Sequence, residues 1–312
     1  MIKEIKKEIH KVVIGHEELI DAMLIALLSE GHILLEGLPG VAKTTAVNTL
    51  SKVLGFEFKR IQFTPDLLPL DITGNEILDL TNNSYKIKHG PIFTNLLLAD
   101  EINRAGAKVQ SALLEAMAEK QVTIGEESLK LKEPFMVLAT ANPIDQDGTY
   151  SLPEASLDRF MLKVNVGYNT HKEEFEIVKR VAEKRFESIK TILDYEKFKE
   201  LKSSCEAVHI DDALLEYMLN IIFATREPKE HGLEDYAQYI DFGASPRASI
   251  DIYKATKAIA FLNGKDYATP LDVAKAAFMT LRHRLKLNYT AKADNINSDT
   301  IIEKILERVP AP

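Results

Sequence analysis

The stretch Ile33-Leu-Leu-Glu-Gly-Leu-Pro-Gly-Val-Ala-Lys-Thr-Thr45 decides the reading of this chain. Ile33, Leu34 and Leu35 form a short apolar run of the kind that makes a buried parallel strand, and a Gly/Pro turn follows before a helix-competent segment. Strand, glycine turn and helix in that order make a phosphate loop. Gly37 and Gly40 let the backbone curl so that successive N–H groups converge on phosphate oxygens at the positive end of the next helix. The loop residues Gly37, Pro39, Gly40, Val41, Ala42, Lys43, Thr44 and Thr45 are therefore the expected nucleotide cradle, with Lys43 on the β- and γ-phosphates and the Thr44 hydroxyl on Mg²⁺. Ala42 stands where the pattern asks for glycine. Its Cβ is tolerated if the residue has the ordinary helical φ/ψ of a first helical turn, and we read it so.

A second stretch supports the first. Asn95-Leu-Leu-Leu-Ala-Asp-Glu101 is an apolar run ending in two acids, as expected of a buried strand that delivers carboxylates to the ligand crevice of an α/β sheet. With a phosphate loop nearby, Asp100 is expected to hold Mg²⁺ together with Thr44, and Glu101 to orient and deprotonate the attacking water. Phe135 to Thr140 reads as a further buried strand ending in Ala141-Asn142-Pro143. Asn142 is placed to hydrogen-bond a phosphate or the water, although Asn-Pro is equally a plain turn signal. Upstream, Val12-Val13-Ile14-Gly15-His16 forms an apolar corner. Val13, Ile14 and Gly15 suit the face of an adenine ring, or equally a simple core corner.

The remaining pattern divides the chain in two. Residues 1–30 read as helical, with Leu19, Met23, Leu24, Leu27 and Leu28 at helical spacing, and Thr44 to Leu54 as a helix stopped by Gly55. Glu57 to Phe63 alternates like a strand, 64–74 reads as irregular, and 76–88 and 121–131 read as hairpins. Ile102 to Lys120 reads as one helix. Arg159 falls at the end of a short helix before a last strand, Met161 to Val166, where a surface ion pair is the ordinary role for an arginine. From His171 the composition turns to long amphipathic helices: 173–191, 194–205, 211–225, 245–263 and 270–285. The segment 227–243 reads as a loop among them. Arg247 lies in the first turn of a helix capped by Ser245, where a cation opposes the helix dipole, so we expect it to serve a ligand. The expected architecture is an α/β nucleotide-binding domain over 1–170 followed by an all-helical lid over 171–312.

Composition excludes several classes. With 312 residues and 46% hydrophobic content the chain can bury cores without staples, and its single cysteine, Cys205, permits no internal disulfide. No Cys/His spacing suggests a metal site, and no run approaches membrane-spanning length. The charged N-terminus has no apolar signal core, so a cytoplasmic location is expected. A net charge of −8 argues against a nucleic-acid substrate.

Taken in sequence, these motifs carry a family resemblance. Gly37 to Thr44, Ile61 to Gly74, Ala99-Asp-Glu-Ile-Asn-Arg-Ala105, Ala139 to Pro143, Leu152 to Phe160, Gly243-Ala-Ser-Pro-Arg-Ala248 and Arg282-His-Arg-Leu285 together resemble the MoxR-type AAA+ ATPases over nearly the whole chain. The resemblance implies that Lys43 and Thr44 match the Walker A pair, Asp100 and Glu101 the Walker B pair, and Asn142 the sensor-1 amide. Arg159 matches the arginine finger that enters a neighbouring subunit's site, and Arg247 the sensor-2 arginine of the lid. Residues 64–88 are similar to the helix-2 insert and 121–131 to the pre-sensor hairpin. It further implies ATP and Mg²⁺ as ligands, a ring that is usually a hexamer, and action on a protein client carrying a von Willebrand factor A domain. A nucleic-acid-remodelling motor and a nucleotide-gated scaffold without productive turnover are the competing readings. Their marks would be a basic pore and the loss of Glu101 or Arg159.

Overall fold

A computed structural model describes residues 1–37, 40–81, 83–141, 150, 152–183 and 187–312. In chain order the elements are α1 (Ile2–His10), α2 (Glu17–Leu28), β1 (Ile33–Gly37), α3 (Lys43–Leu54), β2 (Phe58–Gln62), α4 (Pro69–Thr73), β3 (Gly74–Asp79), β4 (Ser84–His89), β5 (Leu96–Asp100), α5 (Ala107–Glu119), β6 (Gln121–Ile124), β7 (Glu127–Lys130) and β8 (Met136–Ala141). They continue with α6 (Glu154–Leu157), β9 (Leu162–Val166), α7 (His171–Ala182), α8 (Tyr195–Glu206), α9 (Asp212–Arg226), α10 (Glu234–Ala237), β10 (Ile240–Phe242), α11 (Pro246–Leu262), α12 (Pro270–Leu281), β11 (Lys286–Leu287), α13 (Tyr289–Ala293) and α14 (Ser298–Arg308).

Five strands form one sheet in the order β2-β5-β8-β1-β9. Its described pairings, β2 with β5, β5 with β8 and β8 with β1, are all parallel. The apolar runs of β1, β5 and β8 are buried along nearly their whole length, as central strands covered on both faces must be. Parallel pairing brings the C-terminal ends of these strands to one edge, and that edge carries Gly37, Asp100, Thr140 and Ala141. The strands β3–β4 and β6–β7 are two separate antiparallel hairpins outside this sheet.

The chain divides into two compact units, one of residues 1–20, 32–159 and 164–198, the other of 21–31, 160–163 and 199–312. Residues 171–198, containing α7, stay with the sheet unit, whereas 21–31 and 160–163 join the helical one. In the first unit α3 buries Val47, Leu50, Val53 and Leu54, the face its periodicity predicts. In the second, α9, α11, α12 and α14 bury Ile221, Ile252, Val273 and Ile301.

Four local expectations are revised. The helix expected to start at Ile102 is broken: Ile102–Arg104 is one 3-10 turn, and α5 starts only after Gly106. Buried Gln110 donates to the carbonyls of Ile102 and Ala105, satisfying at the break what helix bonds would have satisfied. The helix expected over 173–191 ends at Ala182. Residues 190–192 instead bond other elements: Lys190 N–H to Glu8, Thr191 Oγ1 to Lys52 O, and Ile192 N–H to Val53 O. Both carbonyls lie in the last turn of α3, where Lys52 O also accepts from Gly55 N–H, so this segment adds partners at that helix end. The segment 64–74, read as irregular, contains α4. Residues 227–243 hold a 3-10 turn, α10 and β10 rather than an unstructured loop.

Candidate functional site

The phosphate loop forms because β1 ends where a side chain cannot fit. A Cβ on Gly37 would sit 2.2 Å from the Val166 carbonyl oxygen, so only glycine allows β9 to pass there. Gly40 adopts φ +83° and turns the chain toward α3 with open space where a side chain would project. Ala42 is the correction. It caps α3 with φ 57° and ψ 18°, the left-handed region, not the helical conformation expected of it. That conformation costs an L-residue about 1–2 kcal/mol and explains why the pattern asks for glycine. Glu101 is left-handed too, at φ 57° and ψ 50°. Two strained non-glycine residues therefore flank one crevice, and strain of this kind collects where geometry serves a ligand.

That crevice is a cleft of about 390 Å³ lined by Gly37, Gly40, Val41, Ala42, Lys43, Thr44, Thr45, Arg60, Gln62, Asp100, Glu101 and Thr140. The expected loop residues and both acids thus meet. Lys43 Nζ donates to Gly37 O at 2.8 Å, and burial pulls its pKa down while Asp100 and Glu101 oppose the shift. The carboxylates are held by a network. Arg60 donates to Asp100 Oδ2 through Nε at 3.1 Å and Nη2 at 2.6 Å, and Thr140 Oγ1 donates to Asp100 Oδ1 at 2.6 Å. Gln62 Nε2 donates to Glu101 Oε2 at 2.7 Å, Arg104 Nε lies 3.1 Å from the same oxygen, and Glu101 N–H donates to Thr140 Oγ1 at 2.8 Å.

The donor set suits Mg²⁺. A hydroxyl (Thr44) and one carboxylate (Asp100) in a cleft shaped for phosphate are what this hard cation takes, its remaining positions going to substrate oxygens and water. The described residues contain no His/Cys/Asp/Glu cluster able to cage a metal alone.

Other expected residues lie elsewhere. Val13, Ile14, Gly15 and Arg159 do not line the cleft. The corner is nonetheless anchored beside the end of β9, since Asn169 Nδ2 donates to Ile14 O at 3.0 Å three residues after Val166 passes Gly37. Arg159 follows α6, its Nη1 donating to Ala155 O at 2.9 Å. Arg247 occupies the first turn of α11 in the second unit, where Ser245 Oγ accepts from its N–H at 3.2 Å. Pro39 and Asn142 lie outside the described residues. Sequence reasoning missed the parts played by Arg60, Gln62, Arg104 and Thr140. The register Gln62↔Asp100 places β2 beside β5, a pairing that no local pattern announces.

Sequence comparison agrees with this geometry. The pattern of the ATPase family associated with various cellular activities (AAA) matches residues 32–162, and that of the AAA lid domain matches 234–305. The class is thus an AAA-type ATPase module joined to its lid. Chaperone MoxR1 of Mycobacterium tuberculosis is 45% identical over 98% of this chain and 81% of its own. Uncharacterized protein YeaC of Bacillus subtilis is 40% identical over 98% of this chain and 93% of its own. A crystal structure from Cytophaga hutchinsonii, described as a candidate ATPase, superposes with a TM-score of 0.94 at 47% identity, covering 100% of this chain and 94% of that one. Within the AAA+ ATPases, the chain belongs to the MoxR family.

Proposed function

We propose that the protein is a Mg²⁺-dependent ATPase that works as a ring of copies, six by the family resemblance, and uses hydrolysis to remodel a protein client carrying a von Willebrand factor A domain. The observation that carries the reading is the cleft itself: consecutive carboxylates at the end of β5 face Lys43 and Thr44, while Arg159 is not part of their lining. In this reading the loop amides and Lys43 bind the β- and γ-phosphates, and Thr44 and Asp100 hold the cation. Bound Mg²⁺ supplies positive charge that offsets the phosphate oxygens. Glu101 takes the proton of the attacking water, and Asn142 orients that water. Arg159 of a neighbouring copy stabilises the charge that develops, and Arg247 answers from the lid. The likeness to a relative named as a chaperone supports a protein client, and the net charge of −8 supports it over nucleic acid. A cytoplasmic site of action is consistent with this reading, and no helix among the described residues is long and apolar enough to cross a membrane.

The test is Arg159→Ala. ATP binding is expected to persist while turnover falls by about 10³ to 10⁵, the range an arginine finger contributes in phosphate-loop systems. Wild-type turnover in that variant would refute the assignment. For the client, tagged Glu101→Gln protein held in ATP and Mg²⁺ is used for capture from the host lysate. An ATP-dependent partner with a von Willebrand factor A domain supports the reading, and nuclease-sensitive nucleic acid without a protein partner overturns it.

A further inference from the structure

Arg159 ends one compact unit, and the next residue, Phe160, begins a segment assigned to the other. Phe160 is fully buried and Met161 nearly so. Their carbonyls are gripped by His283 and Arg284, just beyond α12. Arg284 Nη2 donates to Phe160 O at 3.0 Å and to Asp251 Oδ2 at 2.5 Å, while Nη1 donates to Thr280 O at 3.0 Å and Met161 O at 3.4 Å. His283 Nε2 lies 2.7 Å from the same Phe160 oxygen. A carbonyl only accepts, so Nε2 carries the proton and both lone pairs of Phe160 O are used. Burial holds the imidazole far below its ordinary pKa, so the ring stays neutral.

This cluster is a demanding way to hold two carbonyls. The Arg284 side chain is 1% exposed, and a buried ion pair adds little net stability over apolar packing, although it fixes geometry. Arg159 itself has one described hydrogen bond from Nη1, and its buried Nε has no partner among the described residues. The aim of its guanidinium is therefore set mainly by the backbone it stands on. Asp251, the anionic end of the cluster, is one helical turn past Arg247 on α11.

We propose that Arg284, with Asp251 and His283, is the positioning cluster of Arg159: it bolts the two peptides that directly follow the finger to the helix that carries Arg247. This rests on the reading of Arg159 as a finger acting in trans.

Mixed assemblies test it. Glu101→Gln protomers retain a finger but lack the base, and Arg159→Ala protomers retain the base but lack a finger, so ATP turnover in the mixture reports fingers passed from the first to the second. Arg284→Lys, which keeps the charge and loses the fork, is placed in either partner. In the finger donor it is expected to lower mixed turnover by about tenfold to a hundredfold, as ångström-scale misplacement does. In the acceptor the change should stay within about twofold, with ATP affinity unaltered. An equal fall in both placements, or none in the donor, overturns the proposal. If Arg284→Lys does not fold, Asp251→Asn, which leaves the carbonyl bonds in place, must show the same donor-only loss in milder form. A mixture inactive before any change at Arg284 would refute the trans finger, and the positioning role with it.

Discussion

The two ends of the central sheet treat polar side chains in opposite ways. At the N-terminal edge, His32 precedes β1 and Asn95 precedes β5, and both are buried. His32 Nδ1 accepts from Val137 N–H at 3.0 Å while its Nε2 faces Met117 O at 3.3 Å. Asn95 accepts from Glu57 N–H at 3.2 Å and donates to Pro134 O at 3.0 Å. Every bond there joins one strand edge to another part of the fold. At the C-terminal edge the polar groups line an open cleft, their partners Arg60 and Arg104 reach in from positions more than a third exposed, and Ala42 and Glu101 sit in left-handed conformations. Completed, buried bonding is architecture. Half-open bonding beside strained backbone leaves groups that a ligand can recruit.

The largest break in this contrast is expected at Glu101. Glu101→Gln keeps the size and the Gln62 contact region but removes the base, so turnover should fall on the order of 10² to 10⁴ with ATP binding and thermal stability nearly unchanged. Single-turnover hydrolysis alongside a melting curve checks both halves. Turnover at the wild-type rate would move the base to another residue.

Why the cleft was legible and other parts were not follows from the range of the interactions. Gly37 to Thr45 and Ala99 to Glu101 are local strings whose chemistry depends on adjacent residues, and they predicted the loop, β5 and most of the lining. The helical face of α3 was equally local. The stop at Ala182 was not: residues 191 and 192 bond the carbonyls of Lys52 and Val53 at the end of α3, some 140 residues away, a contact that no local pattern announces. Arg60 and Gln62 look like ordinary strand alternation until β2 is known to lie beside β5. The last helix, α14, carried readable signals that the sequence reading passed over: Asn297 accepts from Thr300 N–H as a cap, and Ile301, Ile302 and Ile305 are buried. Ala42 was misjudged because φ is a property of the loop's path and not of the residue's own preference.

The other edge of the sheet gives the second effect, on stability and not on rate. His32→Ala leaves a buried N–H and a buried carbonyl without partners and opens a void beside Phe135, whose ring centroid is 5.8 Å away. The loss is expected to be about 3 kcal/mol, with turnover per folded molecule unchanged. Burial lowers the His32 pKa from 6.5 to about 4. The unfolded chain therefore binds a proton that the native state refuses, and stability should fall as pH drops from about 6.5 to about 4, by on the order of 3 kcal/mol. His283, also held neutral by burial, leaves a residual slope in the variant. Denaturant midpoints across this pH window check the sign. A slope identical in wild type and His32→Ala would remove His32 from the account.

The smallest effect sharpens the contrast from the strained side. Ala42→Gly removes the Cβ that the left-handed conformation disfavours by about 1–2 kcal/mol, but it also frees the unfolded chain at a cost of about 0.4–1 kcal/mol. The balance should be a gain on the order of 0.5–1 kcal/mol, visible as a rise of a few degrees at most in the midpoint of the sheet unit. A glycine placed in a helical turn would do the reverse and destabilise by about 0.5–1 kcal/mol, so the sign alone separates the two conformations for this residue. If Ala42→Gly lowers the midpoint, the residue is helical and the strain beside the cleft reduces to Glu101. If it raises the midpoint while leaving ATP affinity in place, the chain carries an avoidable strain at its phosphate loop, and the N–H groups that meet the phosphates are set by Gly40 and the start of α3 and not by residue 42.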